Sequence, residues 1–264
     1  MVSGLESLQL GTLILIVIAG FATGWVDAVV GGGGLIQLPV MLLVPGISPV
    51  QALATNKMGS IFGTTTSAVT YYRRVQPDLR TALPMAVIAL AGSCGGAVLA
   101  ATLPASVFKP IIVAALVAVA LFTALQPGVG GLTKLRHTGH RHYVLACVIG
   151  ALIGFYDGLI GPGTGSFLVI ALVSAMGYAF LEASAKAKIV NMATNAGALL
   201  FFLPHGSVLW GLGLVLGLAN MAGGYLGART AVRQGSGFIR IVFLIVVAAL
   251  ILKLGTDIWQ DNFA

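Results

Sequence analysis

From Leu8 to Leu254 the chain is a series of apolar runs separated by short breaks, and most runs approach 20 residues. A helix of about 20 apolar residues, rising ~1.5 Å per residue, spans a hydrocarbon core ~30 Å thick. No polar stretch is long enough to fold as a large soluble domain. Only 8% of residues are charged and 58% are hydrophobic, whereas a soluble domain carries roughly a quarter charged residues. The chain therefore reads as an all-α polytopic membrane protein. The runs are Leu8–Val30, Leu35–Val44, Val50–Tyr72, Leu79–Leu103 and Val107–Leu125, then Tyr143–Ile160, Ser166–Met176, Ala183–Leu203, Val208–Ala228 and Phe238–Leu254. Leu35–Val44 and Ser166–Met176 are exceptions, each covering about half of a bilayer core.

Both short pieces follow a glycine-rich break, and each break follows an acid buried in apolar sequence. The first block is Gly-Trp-Val-Asp-Ala-Val-Val-Gly-Gly-Gly-Gly, ending at Gly34. The second is Gly-Phe-Tyr-Asp-Gly-Leu-Ile-Gly-Pro-Gly-Thr, ending at Thr164. Asp27 and Asp157 stand 130 residues apart, Lys57 and Lys188 stand 131 apart, and Gly95-Gly96 and Gly223-Gly224 stand 128 apart. Three anchors at nearly one offset predict two homologous halves, 1–133 and 134–264, within one integral membrane domain. A repeated intramembrane acid beside a repeated helix break is the pattern of a transport site between two halves.

Loop charges address orientation, because Lys and Arg concentrate on the cytoplasmic side. The loop after the third run carries Arg73, Arg74 and Arg80, whereas its counterpart around His205 carries no Lys or Arg. After the fourth run the balance reverses, with Lys109 alone in one half and Arg229 and Arg233 in the other. Inverted halves follow if each glycine break turns the chain back. Each half is then a glycine-broken helical hairpin plus three spanning helices, with 8–10 membrane segments in all. Lys134, Arg136 and Arg141 fall inside, and both termini outside. If the short pieces instead re-enter from the far face, the halves become parallel.

An ionised carboxylate deep in apolar sequence is costly unless paired or hydrated, so Asp27 and Asp157 are functional candidates, with capping of the hairpin as the structural alternative. Glu6, Asp78, Asp257 and Asp261 fall in loops or tails, and Glu182 opens a helix, where an acid suits the dipole. Glycines allow backbone angles closed to other residues, and the N-termini of the short helices offer free N–H groups and partial positive charge to an anion. The candidate anion contacts there are Gly32, Gly33 and Gly34 in one half and Gly163, Thr164, Gly165 and Ser166 in the other. Asn56 and Lys57 follow the first short helix. Lys188, Asn191 and Asn195 share one side of a later helix, a spacing that Lys57, Ser60 and Thr64 repeat. A polar stripe on a membrane helix faces a cavity or a partner. Lys57 and Lys188 then either pair with the two aspartates or bind an anion. Lys186, nearer the membrane edge, is expected to snorkel.

Other features read as structural. Trp25, Phe155 and Tyr156 are expected to pack between helices, as are the lone Cys94 and Cys147. His137, His140 and His142 invite a metal reading but lack a joining carboxylate or cysteine, so a basic loop is expected. The net charge of +7 reflects topology-setting loop residues and implies no nucleic-acid partner. The N-terminus lacks the basic region of a signal peptide, so the first run is expected to belong to the mature fold. No cofactor is expected.

The duplicated Gly–aromatic–x–Asp blocks, Ala-Thr-Asn-Lys at 54–57, Ala-Lys-x-x-Asn at 187–191 and the Gly-Gly pairs resemble the TauE/SafE sulfite-exporter family across essentially the whole chain. The resemblance implies a bacterial inner-membrane permease for sulfite or an organosulfur anion such as sulfoacetate, driven by an electrochemical gradient rather than ATP. The resulting expectation is a secondary transporter with Asp27 and Asp157 as proton-coupling acids. A passive anion channel, an importer of a related sulfur oxyanion and an intramembrane aspartyl enzyme are the alternatives. The expected partners are a small sulfur-containing anion and the lipid bilayer, with a homodimer as one option for assembly.

Overall fold

The structure, a computed structural model, describes residues 10–104 and 132–263, and every regular element among them is helical. The run Val107–Leu125, with Lys109, lies outside the described residues. The helices are α1 (Leu10–Val30), α2 (Gly34–Leu42), α3 (Pro49–Val75), α4 (Leu79–Thr102), α5 (Gly139–Leu159), α6 (Thr164–Ala171), α7 (Phe180–Phe202) and α8 (Trp210–Phe263). A π-helical turn over Leu172–Met176 continues α6, and Gly235 breaks α8 with φ 76° and ψ −170°. The two final runs expected from the sequence therefore meet at one glycine.

Local sequence explains where the helices begin and end. Ser48 and Gln51 form a reciprocal capping box ahead of Pro49, and α3 closes with Arg73 and Arg74 against its negative dipole end. Gln76 then takes the left-handed conformation, and Asp78 caps α4 by accepting from the Arg80 amide and the Thr81 hydroxyl.

Among the described residues, four helices are long and apolar enough to cross a membrane: α1, α4, α5 and the Trp210–Ile239 part of α8. Their outward faces are apolar, with Ile14, Ile18 and Phe21 on α1, Val87 on α4, Leu152 on α5 and Leu218 on α8 all exposed. Thr23, Asp27, Ser93, Asp157 and Asn220 of these helices lie inward. Helices α3 and α7 have 27 and 23 residues, which also suffices for a ~30 Å core. They are less apolar because they carry the lysine stripes, of which Lys57, Thr64, Lys188, Asn191 and Asn195 are buried between the other helices.

The packing is reciprocal. Helix α1 lies against α8 and α5 against α4, while α3 packs on α8 and α7 on α4. The first and third helices of each sequence half thus rest on the fourth helix of the other half. Glycines permit the close crossings: a side chain at Gly24 would strike the backbone of α8 at Asn220, and one at Gly154 would strike the backbone of α4 at Ala89. The central helices α3 and α7 also touch one another. The two glycine breaks point into the space beside that contact.

Candidate functional site

Helix α1 ends at Val30, and Gly31 reverses the chain at φ 79°, inside the left-handed region. The second break uses Gly161 at φ 90° and Gly163 at φ 79° in the same way. The two breaks meet. The Ser166 amide donates to the Gly31 carbonyl at 3.1 Å, and the Ser166 hydroxyl donates to the Val30 carbonyl at 2.9 Å. A Cβ on Gly165 would lie 2.5 Å from the Gly31 Cα, so only glycine lets the tips approach this closely.

Beside the tips, the charges pair crosswise between halves. Lys57 of α3 lies 2.7 Å from Oδ1 of Asp157 on α5. Lys188 of α7 lies 2.7 Å from Oδ2 of Asp27 on α1. The sequence left two roles open for these lysines, and the structure places each ammonium on an aspartate. The Thr164 hydroxyl also donates to Oδ1 of Asp157 at 2.6 Å. Side chains rather than glycine amides therefore supply the donors to both acids. Burial of such a pair is tolerated because each charge holds an opposite one at hydrogen-bonding distance, and removing one partner typically costs about 3–5 kcal/mol.

The two pairs differ in exposure. The side chains of Lys57 and Asp157 are each 2% exposed, and that of Asp27 is 13% exposed. Both acids line a cavity of about 20 Å³, constricted to about one water. Of the residues singled out in the sequence, Gly34, Asn56, Lys57, Gly163, Thr164 and Gly165 lie in its wall with Asp27 and Asp157, and Asn191 and Asn195 complete it. Gly32, Gly33, Ser166 and Lys188 are absent from the wall. Ser166 instead spends its hydroxyl on the opposite hairpin, and Lys188 sits behind Asp27. Gly31, Ser60, Thr64 and Gly161 also line the cavity, the middle two being the continuation of the Lys57 stripe. Two buried acceptors on residues of this wall have no hydrogen-bond donor from the protein: Oδ2 of Asp157 and Oδ1 of Asn56.

Three further polar groups differ from expectation or escaped it. Lys186 does not snorkel; it is fully buried, donating to the Asp78 carbonyl at 3.3 Å and lying 3.4 Å from Glu182, with its ammonium 4.6 Å from the Tyr178 ring centroid. Acceptors are therefore at hand inside the bundle, and reaching water is unnecessary. His142 belongs to the first turn of α5 rather than to a loop, buried with Nε2 within 3.1 Å of the Thr81 hydroxyl and 3.0 Å of the Tyr178 hydroxyl. Gln37 and Asn220, joined at 2.6 Å, form a buried pair with no counterpart in the repeat. A lone Gln among apolar residues carries little signal for such a partner, 183 positions away.

A helical bundle with apolar outer faces, enclosing charge pairs at two touching helix breaks, belongs to the class of membrane transporters. A model of the family described as Sulfite exporter TauE/SafE matches residues 16–254, and the chain belongs to that family. A probable membrane transporter protein ORF9 of a Sinorhizobium species is 38% identical over 253 residues, covering 96% of each chain. The probable membrane transporter protein YfcA of Escherichia coli K12 is 33% identical, over 95% of this chain and 91% of its own. A probable membrane transporter protein of Haemophilus influenzae is 29% identical over 93% and 95%. No solved structure matches the chain.

Proposed function

We propose that the protein is a secondary active transporter that exports sulfite or a small organosulfonate across the bacterial inner membrane, coupled to protons. The observation that carries this reading is the crosswise lysine–aspartate pairing on one buried cavity where the two helix breaks touch. A structural bundle has little use for four intramembrane charges around a cavity, whereas a site that binds an anion and a proton in turn needs cations and acids together. Amide groups of Asn56, Asn191 and Asn195 and the N-terminus of α6 supply further anion contacts. The family's description supports a sulfur oxyanion as cargo.

The reciprocal packing supports two inverted halves, 1–133 and 134–264, that rock about the α3–α7 contact to expose the cavity to one side and then the other. The arginine-rich ends of α3 and of the Trp210–Ile239 helix would face the cytoplasm.

The test is flux in proteoliposomes. Purified protein should accumulate sulfite against its gradient when a pH gradient is imposed, and should lose accumulation when that gradient is collapsed. Saturable flux that never runs uphill under any imposed gradient would replace the coupled transporter with a passive pathway. Stabilisation on heating by sulfite, thiosulfate or sulfoacetate, but not by carboxylate controls, would identify the cargo class.

A further inference from the structure

We propose that the two charge pairs have different jobs: Lys57–Asp157 is the coupling pair, and Asp27–Lys188 is a fixed tie between the halves. In the coupling pair, one proton binds Oδ2 of Asp157 and leaves the Lys57 ammonium free to hold the anion. This inference rests on the proton-coupled anion transport proposed above and specifies how its site works.

Two independent observations distinguish the pairs. First, an anion in the cavity can meet Lys57, which lies in the wall, but not Lys188, which does not. The Lys57 ammonium packs against Gly161, where a Cβ would lie 2.7 Å from Nζ. Second, the acid that holds Lys57 has one oxygen saturated and one empty. Oδ1 of Asp157 receives both Lys57 and Thr164, while Oδ2 is buried without a donor. Oδ1 of Asn56 is in the same position on the same cavity. A buried acceptor left without a donor is costly. One proton on Oδ2 converts an acceptor into a donor, and Asn56 can take its hydrogen bond through a water, for which the cavity has room. In the other half Gly34 stands in the position of Thr164, so no hydroxyl joins Lys188 on Asp27, whose side chain is 13% exposed against 2% for Asp157.

The charge balance links the two events. At rest, two ammonium groups face two carboxylates, and the site is neutral. An anion arriving alone would be an uncompensated buried charge. An anion and a proton together restore neutrality: the proton comes from the water phase on the open side, Asp157 becomes a neutral acid, and Lys57 transfers its hydrogen bond to the anion. The groups facing Asp157 allow this. Lys57 from α3 and Thr164 from α6 touch it, Asp27 of α1 with its own lysine and Asn191 and Asn195 of α7 line the same cavity, Tyr156 precedes it on α5, and α4 brings the uncharged Ser93 against neighbouring Gly158. A metal cation at Oδ2 would sit beside the Lys57 ammonium, whereas a proton forms a neutral group there. One proton and one monovalent anion then cross together, without net charge, so export runs when the outward gradient of the anion outweighs the inward gradient of the proton.

Infrared difference spectroscopy on the full-length protein in lipid vesicles tests this. On acidification, the carbonyl stretch of a protonated carboxylic acid should appear in the parent protein and in Asp27→Asn, and be missing from Asp157→Asn. Methanesulfonate, whose charge is constant across the neutral range, should raise that band at fixed pH. Its affinity should fall about tenfold per pH unit above the point where Asp157 loses its proton, and should become independent of pH in Asp157→Asn. Should Asp157→Asn fail to fold, Asn56→Ala must shift the band of the parent, because it removes the acceptor. A band lost in Asp27→Asn and kept in Asp157→Asn overturns the inference, as does an Asn56→Ala band identical to the parent's. If sulfite flux is coupled in proteoliposomes but the band ignores the anion, the inference fails and the transport reading stands. If no sulfur anion is carried, the cargo reading fails, and the acid band still decides which aspartate holds the proton.

Discussion

Replacing Lys188 by methionine should destabilise the protein more than replacing both members of its pair. The single change leaves Asp27 buried without its cation, and breaking a buried pair in this way typically costs about 3–5 kcal/mol. The Asp27 side chain is 13% exposed, toward the cavity, so some hydration remains and the lower end applies, about 3 kcal/mol. For chains of roughly this size a loss of 1 kcal/mol lowers Tm by about 2–4 °C, giving about 6–12 °C here. The same change at Lys57 strands Asp157, which is only 2% exposed, so about 5 kcal/mol and about 10–20 °C are expected. Asp27→Leu combined with Lys188→Met should recover most of the loss, since an apolar pair of similar size is often neutral. Tryptophan fluorescence during heating in detergent reports the transition, with Trp25 on α1 and Trp210 on α8 flanking the packed interface. Losses that simply add in the double variant, or a Lys188→Met protein as stable as the parent, would refute the view that these charges are held by each other.

Gly165→Ala should abolish transport and lower stability by several degrees, because its Cβ meets backbone of the opposite hairpin rather than a movable side chain; flux and melting on one preparation check both. Ser166→Ala removes a hydroxyl bonded to the Val30 carbonyl and absent from the cavity wall. It should cost about 0.5–1.5 kcal/mol of stability and leave anion affinity nearly unchanged, as measured by melting and binding titration. Burial pushes the Asp78 carboxyl up, but the Thr81 hydroxyl, the Arg80 and Thr81 amides and nearby Lys186 together hold it below the usual carboxylate range. A lowered carboxyl stabilises the fold above its unfolded value, near pH 4, and that contribution disappears as pH falls through the folded value. Asp78→Asn should therefore be less stable than the parent at neutral pH, with the gap closing in acid, which melting as a function of pH would reveal.

The membrane architecture was legible because apolar runs and glycine breaks are local signals. Helices α1, α3, α4 and α7 begin and end within a few residues of the runs expected for them. The lysine stripes were legible through their three-and-four spacing, which placed Lys57, Ser60 and Thr64 on one side of α3. What escaped the sequence depends on distance along the chain. Spacing alone does not say that Lys57 meets Asp157 rather than Asp27, since each acid lies in an apolar run just ahead of a glycine break. Ser166 looked like an anion contact because it opens a helix, but its nearest acceptor is a carbonyl of the other hairpin. Lys186 looked like a membrane-edge residue because its acceptors, the Asp78 carbonyl and the Tyr178 ring, come from elsewhere in the fold.

The crosswise pairing also bears on biosynthesis. Asp27 and its partner Lys188 are 161 residues apart. At about 5–20 residues per second of synthesis, Asp27 exists for roughly 8–32 s before Lys188 is made. Between the synthesis of Lys57 and that of Asp157, the nascent chain carries Asp27 and Lys57 without either native partner. They can serve each other provisionally, as a self-neutralising pair that lets the early helices enter lipid. Arrival of the second half must then trade this provisional pair for two crossed ones. Assembly is therefore a partner exchange, and a first half produced as a separate chain should enter the membrane yet persist only when the second half is supplied with it.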